Sequence, residues 1–174
     1  FPNKKIRPLS FNGTKWEYKA PPAPRPLLNL KNLLNNKDKT VLIVEGEKAC
    51  DAAQKLFPTS IATTWASGCK AINKTDWQPL KGRKIVLWPD NDQVGFDAMD
   101  RLAQLLYSIG ATYVKQINPP NDVKQGWDLA DASWSTKEAT NYAKNNIIDI
   151  TKKEQVEELI SIPENTVELD KYFQ

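Results

Sequence analysis

The chain has 174 residues, with 24 Lys and Arg against 21 Asp and Glu, and it contains no histidine. The missing imidazole excludes His-based acid–base catalysis, His-containing zinc sites and Ser-His-Asp triads. A net charge of +3 permits nucleic-acid binding through a local patch but does not argue for it. The length suits one domain with appendages, and such a chain buries roughly 70% of its unfolded surface. The two cysteines, Cys50 and Cys69, are too few for a structural zinc site and read as buried free thiols. There is no signal peptide and no apolar run long enough to span a membrane, so the chain reads as cytoplasmic, with no membrane partner. Its sole methionine is Met99, so it reads as a piece of a longer protein.

Residues 1–28 are rich in Pro, Lys and Arg. Within them, Ser10-Phe11-Asn12-Gly13-Thr14-Lys15-Trp16 predicts a hairpin, because Asn-Gly supplies the positive φ angles of a two-residue turn. The Pro-rich stretch 21–26 predicts a stiff, extended segment. It reads either as a linker or as an arm that packs on the domain or helps hold nucleic acid. Residues 29–36 predict a short helix and 40–45 a strand. Helix 47–57 carries an apolar stripe of Ala49, Ala52, Ala53, Leu56 and Phe57, and Pro58 stops it. A strand at 61–65, a Ser67-Gly68 turn and a short helix over 70–78 follow. The third strand spans 84–89. The longest helix spans 93–109, with Met99, Leu102, Leu105, Leu106 and Ile109 inside and Gly110 as its stop. A fourth strand spans 111–117 and ends at Pro119-Pro120. A last helix spans 135–146, and the polar tail begins helically at 153–160.

This alternation predicts an α/β fold: a four-stranded, mostly parallel sheet with right-handed crossovers, flanked by helices. A short N-terminal hairpin or arm (1–37) precedes the domain (38–148), and a helical tail or linker (149–174) follows it.

Two acidic clusters each follow a run of apolar residues: Val41-Leu42-Ile43-Val44-Glu45-Gly46-Glu47 and Ile85-Val86-Leu87-Trp88-Pro89-Asp90-Asn91-Asp92. Each run reads as a buried parallel strand, so each acidic group falls at a strand's carboxyl end, where open α/β sheets bind ligands. Glu45, Asp90 and Asp92 are thus expected to converge. Their mutual repulsion calls for a cation, and oxygen ligands suit Mg²⁺ or Mn²⁺. For Asp92 alone, a plain helix-capping role is the simpler reading.

Val44-Glu45-Gly46, the Asp90-Asn91-Asp92-Gln93-Val94-Gly95 segment and Gly126-Trp127-Asp128-Leu129-Ala130-Asp131 together resemble the Toprim domain. Over residues 38–146 the likeness is greatest to the Toprim module of phage- and plasmid-type DNA primases and primase–helicases. Val44 to Ala49, Gly82-Arg83, Trp88-Pro89 and Arg25-Pro26-Leu27 also fit that subgroup. The resemblance implies a nucleotidyltransferase of DNA replication that synthesises RNA primers on single-stranded DNA from nucleoside triphosphates. It implies Glu45, Asp90 and Asp92 as catalytic residues, with Asp128 as a further Mg²⁺ or Mn²⁺ ligand and Asp131 a weaker one. Zinc-binding and helicase modules would lie outside this chain. Many members carry an aspartate where this chain has Ala49, which leaves the number of metals open. Asp51, the next acid, lies about 200° around the helix from that position. The alternatives are a Toprim nuclease, with water as the nucleophile, and a non-catalytic Toprim module that binds nucleic acid.

Lys48 lies in the first turn of a helix pointing at this edge, where a bound phosphate would relieve its conflict with the helix dipole. Lys70 follows the Ser67-Gly68 turn on the same side. With Gly46, Gly68 and Gly95, these lysines form the candidate nucleotide- or phosphate-binding set. Lys81, Arg83 and Lys84 fall at the opposite end of their strand. Trp65 and Trp88 read as core, Trp16 lies in the arm, and the exposed or buried state of Trp77, Trp127 and Trp134 is left open.

Overall fold

The computed structural model describes residues 8–150. The N-terminal hairpin is present: β1 (Ser10–Phe11) pairs antiparallel with β2 (Trp16–Glu17). Its loop is longer than the expected two residues. The Asn12 side chain accepts from the amides of Thr14 and Lys15, so an Asx turn closes it.

The main body follows as α1 (Leu30–Asn35), β3 (Val41–Val44), α2 (Glu47–Leu56), β4 (Ile61–Thr63), β5 (Lys84–Trp88), α3 (Gln93–Ser108), β6 (Tyr113–Ile117), α4 (Thr136–Asn146) and β7 (Ile147–Asp149). The expected helix over 70–78 is instead two 3₁₀ turns, Cys69–Lys74 and Gln78–Leu80, and a third covers Leu129–Asp131. The sheet has five strands in the order β4-β3-β5-β6-β7. The first three junctions are parallel, and β7 is an antiparallel edge strand. This corrects the expectation of four strands. All three residues of β7 are exposed, so no burial pattern marked them as a strand. The tail helix expected at 153–160 lies outside the described residues.

Two apolar layers sandwich the sheet. Val41, Ile43, Ile85 and Leu87 point to one face, where α3 packs through Met99, Leu102 and Leu106 and α1 through Leu33. Leu42, Val44, Val86 and Trp88 point to the other, where α2 packs through Ala49, Cys50 and Ala53 and α4 through Ala139. Burying each large aliphatic side chain contributes about 1.5–3 kcal/mol, so these layers hold the short strands together.

The Pro-rich segment packs on the domain. Leu27 is buried in the α1/α3 layer. Arg25 pairs through its backbone with Lys74 and Asp76, and Leu28 with Thr64. Asn29 Nδ2 donates to Ala62 O, so this segment covers the free edge of β4. At the far end of β5, Arg83 donates to the carbonyls of Leu33, Asn36 and Lys39 and closes the carboxyl end of α1. Its role there is structural. Trp65, Trp77, Trp88 and Trp127 are buried, whereas Trp16 is exposed. Among the described residues no helix is long and apolar enough to cross a membrane.

Candidate active site

The strand order creates the site. From β3 the chain crosses through α2 to β4 on one side, and from β5 it crosses through α3 to β6 on the other. The neighbours β3 and β5 therefore diverge at their carboxyl ends, and such a topological switch point opens a crevice. Val44 pairs with Trp88, so Glu45 and Asp90 leave the sheet side by side.

Glu45 is half-buried and lies against the backbone amide of Asp90, 3.4 Å from its Oε1. Its Oε2 accepts from the Cys69 thiol at 2.8 Å. A Cβ on Gly95 would sit 2.7 Å from Glu45 Oε1 and 2.8 Å from Asp90 O. The glycine in the motif thus leaves room for the carboxylate to reach the end of β5. The Gly95 amide donates to Asp92 Oδ1 at 2.7 Å, so Asp92 does cap α3. Capping occupies only one oxygen of Asp92.

Asp128 reaches this edge through a clamp that the sequence reading did not identify. Asn91 N donates to Trp127 O, Gly126 N donates to Asn91 O, and Asn91 Nδ2 donates to the carbonyls of Val123 and Lys124. Asn91 therefore pins the 123–128 loop to the end of β5. Asp128 then caps the 3₁₀ turn through Ala130 N at 2.6 Å. Asp131, in that turn, lies 3.2 Å from Lys124 Nζ and 3.8 Å from Lys48 Nζ. The hydrogen bond and charge of Lys124 hold its carboxyl below the usual range.

These contacts leave Asp90 at the centre. Its carboxylate accepts no hydrogen bond among the described residues. Burial first, then the charges of Glu45, Asp128, Asp92 and Asp131, push its pKa up to about 7. Four acids thus act on a fifth, and Lys48 and Lys124 both lie against Asp131 at the margin. Among the described residues, no group of three or more acids or thiols is drawn together closely enough to cage a metal ion. Magnesium needs no such cage, because it keeps several waters and takes one or two carboxylates plus substrate phosphates. The donor chemistry fits a hard divalent cation: uncompensated carboxylates, with Asp90 unpartnered.

The other expected residues sit around this edge. Gly46 has φ of 78°, which glycine adopts without strain, and its amide donates to Thr64 Oγ1. Ala49 is buried against the sheet and Asp51 is exposed. The Ser67-Gly68 turn is braced by Arg25, which donates to Pro21 O and Ser67 Oγ, and by Trp65, which donates to Gly68 O. Arg25-Pro26-Leu27 had pointed to this arm without indicating what it holds. Both cysteines are free thiols, and burial is the main reason that each is pushed up to about 12. Lys70 stands apart from Lys48, on the α3 side, beside Arg101.

No family model matches the chain, and no curated protein matches it. Among solved structures it is similar to a DNA primase domain from Pseudomonas aeruginosa, with a TM-score of 0.44 and 15% identity over 66% of this chain and 36% of that one. It is also similar to the DnaG primase catalytic domain bound to ssDNA, with a TM-score of 0.49 and 16% identity over 77% of this chain and 44% of that one. The chain thus spans less than half the length of either structure.

Proposed function

We propose that this chain is the catalytic module of a metal-dependent enzyme acting on phosphodiesters, specifically the Toprim-type nucleotidyltransferase module of a DNA primase or primase–helicase. One observation carries the reading. Glu45 and Asp90 meet at the switch point, and with burial, Glu45 and three further aspartates work against the ionised form of Asp90. A purely structural edge has no use for that repulsion. Asp90, Asp92, Glu45 and Asp128 would hold Mg²⁺ or Mn²⁺; Asp92 and Asp128 each keep one oxygen outside their capping bonds. A bound divalent cation supplies charge to phosphoryl oxygens and acidifies a hydroxyl.

The protein's own residues shape the rest. Gly95 admits Glu45 to the end of β5, and Asn91 holds the Asp128 loop in place. Lys48, at the start of α2, offers a cation to an approaching phosphate once one competes with Asp131. Single-stranded DNA as template and nucleoside triphosphates as substrates belong to this proposal. So do the zinc-binding and helicase modules expected elsewhere in the protein.

The test is Mn²⁺ calorimetry on the wild type and on Asp90→Asn/Asp92→Asn, followed by primer-synthesis and cleavage assays on the full-length protein. Binding that disappears in the variant, with nucleotides joined on a single-stranded template, supports the reading. DNA cut without synthesis would replace the primase assignment with a nuclease. No Mn²⁺ binding by the wild type, even with nucleotide present, would refute the metal site.

A further inference from the structure

A second polar cleft adjoins the carboxylate edge. It has a volume of about 210 Å³ and lies between the Cys69–Lys74 turn and α3, lined by Cys69, Lys70, Ile72, Asn73, Arg101 and Leu105. Cys69 links it to the site, because its thiol donates to Glu45. The cleft is smaller than the usual pocket for a drug-sized ligand, which starts at roughly 300 Å³.

Its cations differ from those at the other flank. Lys48 and Lys124 are both paired with Asp131. Lys70 and Arg101 form no ion pair among the described residues. Arg101 Nε donates to Asp97 O at 3.2 Å, which anchors the base of the guanidinium and leaves its terminal nitrogens without a protein partner among the described residues. The neighbouring Asp97 carboxylate is engaged by Gln93 Nε2 at 2.7 Å. A planar guanidinium with a lysine and an amide beside it suits a phosphate.

Position decides what carries that phosphate. Arg101 lies nine residues beyond Asp92 on α3, about 14 Å along the helix axis. A phosphate bound there is therefore distinct from one reacting at Asp90. A strand carries a phosphate at every nucleotide and can occupy both places at once.

We propose that Lys70, Asn73 and Arg101 hold a backbone phosphate of a single nucleic-acid strand whose neighbouring segment crosses the carboxylate edge. The inference rests on the reading of that edge as a phosphodiester site. A freestanding nucleoside triphosphate is the competing source of the phosphate.

The experiment is fluorescence anisotropy of a short labelled single-stranded oligonucleotide, titrated with the protein over a range of salt concentrations. The wild type is compared with Lys70→Gln/Arg101→Gln and with the charge-matched control Lys137→Gln/Lys144→Gln on α4, across the sheet. Both pairs are exposed, and circular dichroism checks that each variant folds. Losing both cations that hold this one phosphate should make the slope of log K against log salt shallower by about 0.7, with the control unchanged. An unchanged slope in the cleft variant, an equal change in the control, or no strand binding by the wild type would each overturn the proposal. So would loss of triphosphate binding in the cleft variant with strand binding intact. If the wild type binds Mn²⁺ and strand but the cleft variant behaves like the wild type, only this inference fails. If Mn²⁺ binding is also absent, the functional reading fails with it.

Discussion

Replacing Asp90 with Asn removes the most strained charge of the site and keeps its shape. In the folded protein this carboxyl titrates near 7, against 3.8 for an ordinary aspartate. The folded state therefore holds the proton more tightly than the unfolded chain does. The neutral carboxyl's contribution to stability is complete below about pH 3.8 and is lost as pH rises through about 7. At about 1.4 kcal/mol per pH unit, the ceiling is about 4 kcal/mol. Burial is incomplete and solvent screens the neighbouring charges, so about 2 kcal/mol is the expected effect. For a chain of this size that is roughly 4–8 °C in Tm. Thermal unfolding of wild type and Asp90→Asn in EDTA, from pH 4.5 to 8.5, checks it. The advantage of the variant should grow up to about pH 7 and then level off. A variant less stable at pH 8, or a difference independent of pH, would refute the account of repulsion and burial. Adding Mn²⁺ should narrow the gap above pH 7, because a bound cation relieves the wild type alone.

Other consequences follow from single contacts. Gly95→Ala would gain about 1 kcal/mol from helix propensity alone, yet its Cβ would meet the Asp90 backbone at 2.8 Å. Overpacking should win, giving a net loss of about 1–2 kcal/mol by urea unfolding, and a stabilised variant would contradict the close approach. Both thiols should react slowly with disulfide reagents at pH 8. Glu45→Gln should speed Cys69 and leave Cys50 unchanged, because a carboxylate disfavours the adjacent thiolate; equal rates for Cys69 in both proteins would show that Glu45 has no such influence. Arg25→Ala removes the bonds to Pro21 and Ser67 and should lower stability by about 2 kcal/mol. Melting within a degree of the wild type would mean that the arm does not brace the turn.

Much of the sheet was legible because its strands are buried on both faces. Val41–Val44 and residues 85–88 are continuous apolar runs, and α2 and α3 carry stripes at helical spacing. Local chemistry also placed the carboxylates at the strand ends, and Pro58 and Gly110 marked where helices stop. Strand β7 was invisible, since a short exposed edge strand has no alternation to read. The packing of the Pro-rich segment was equally hidden, because its partners, Ser67 and Thr75, lie more than forty residues away. The same holds for the site. Sequence order determined that Glu45 and Asp90 sit at the carboxyl ends of buried strands. Only the tertiary structure decided that these strands are neighbours at a switch point, that Asn91 brings the Asp128 loop to them, and that Asp90 feels the repulsion of four other carboxylates. Those facts depend on which strand pairs with which, and long-range pairing leaves little mark on local sequence.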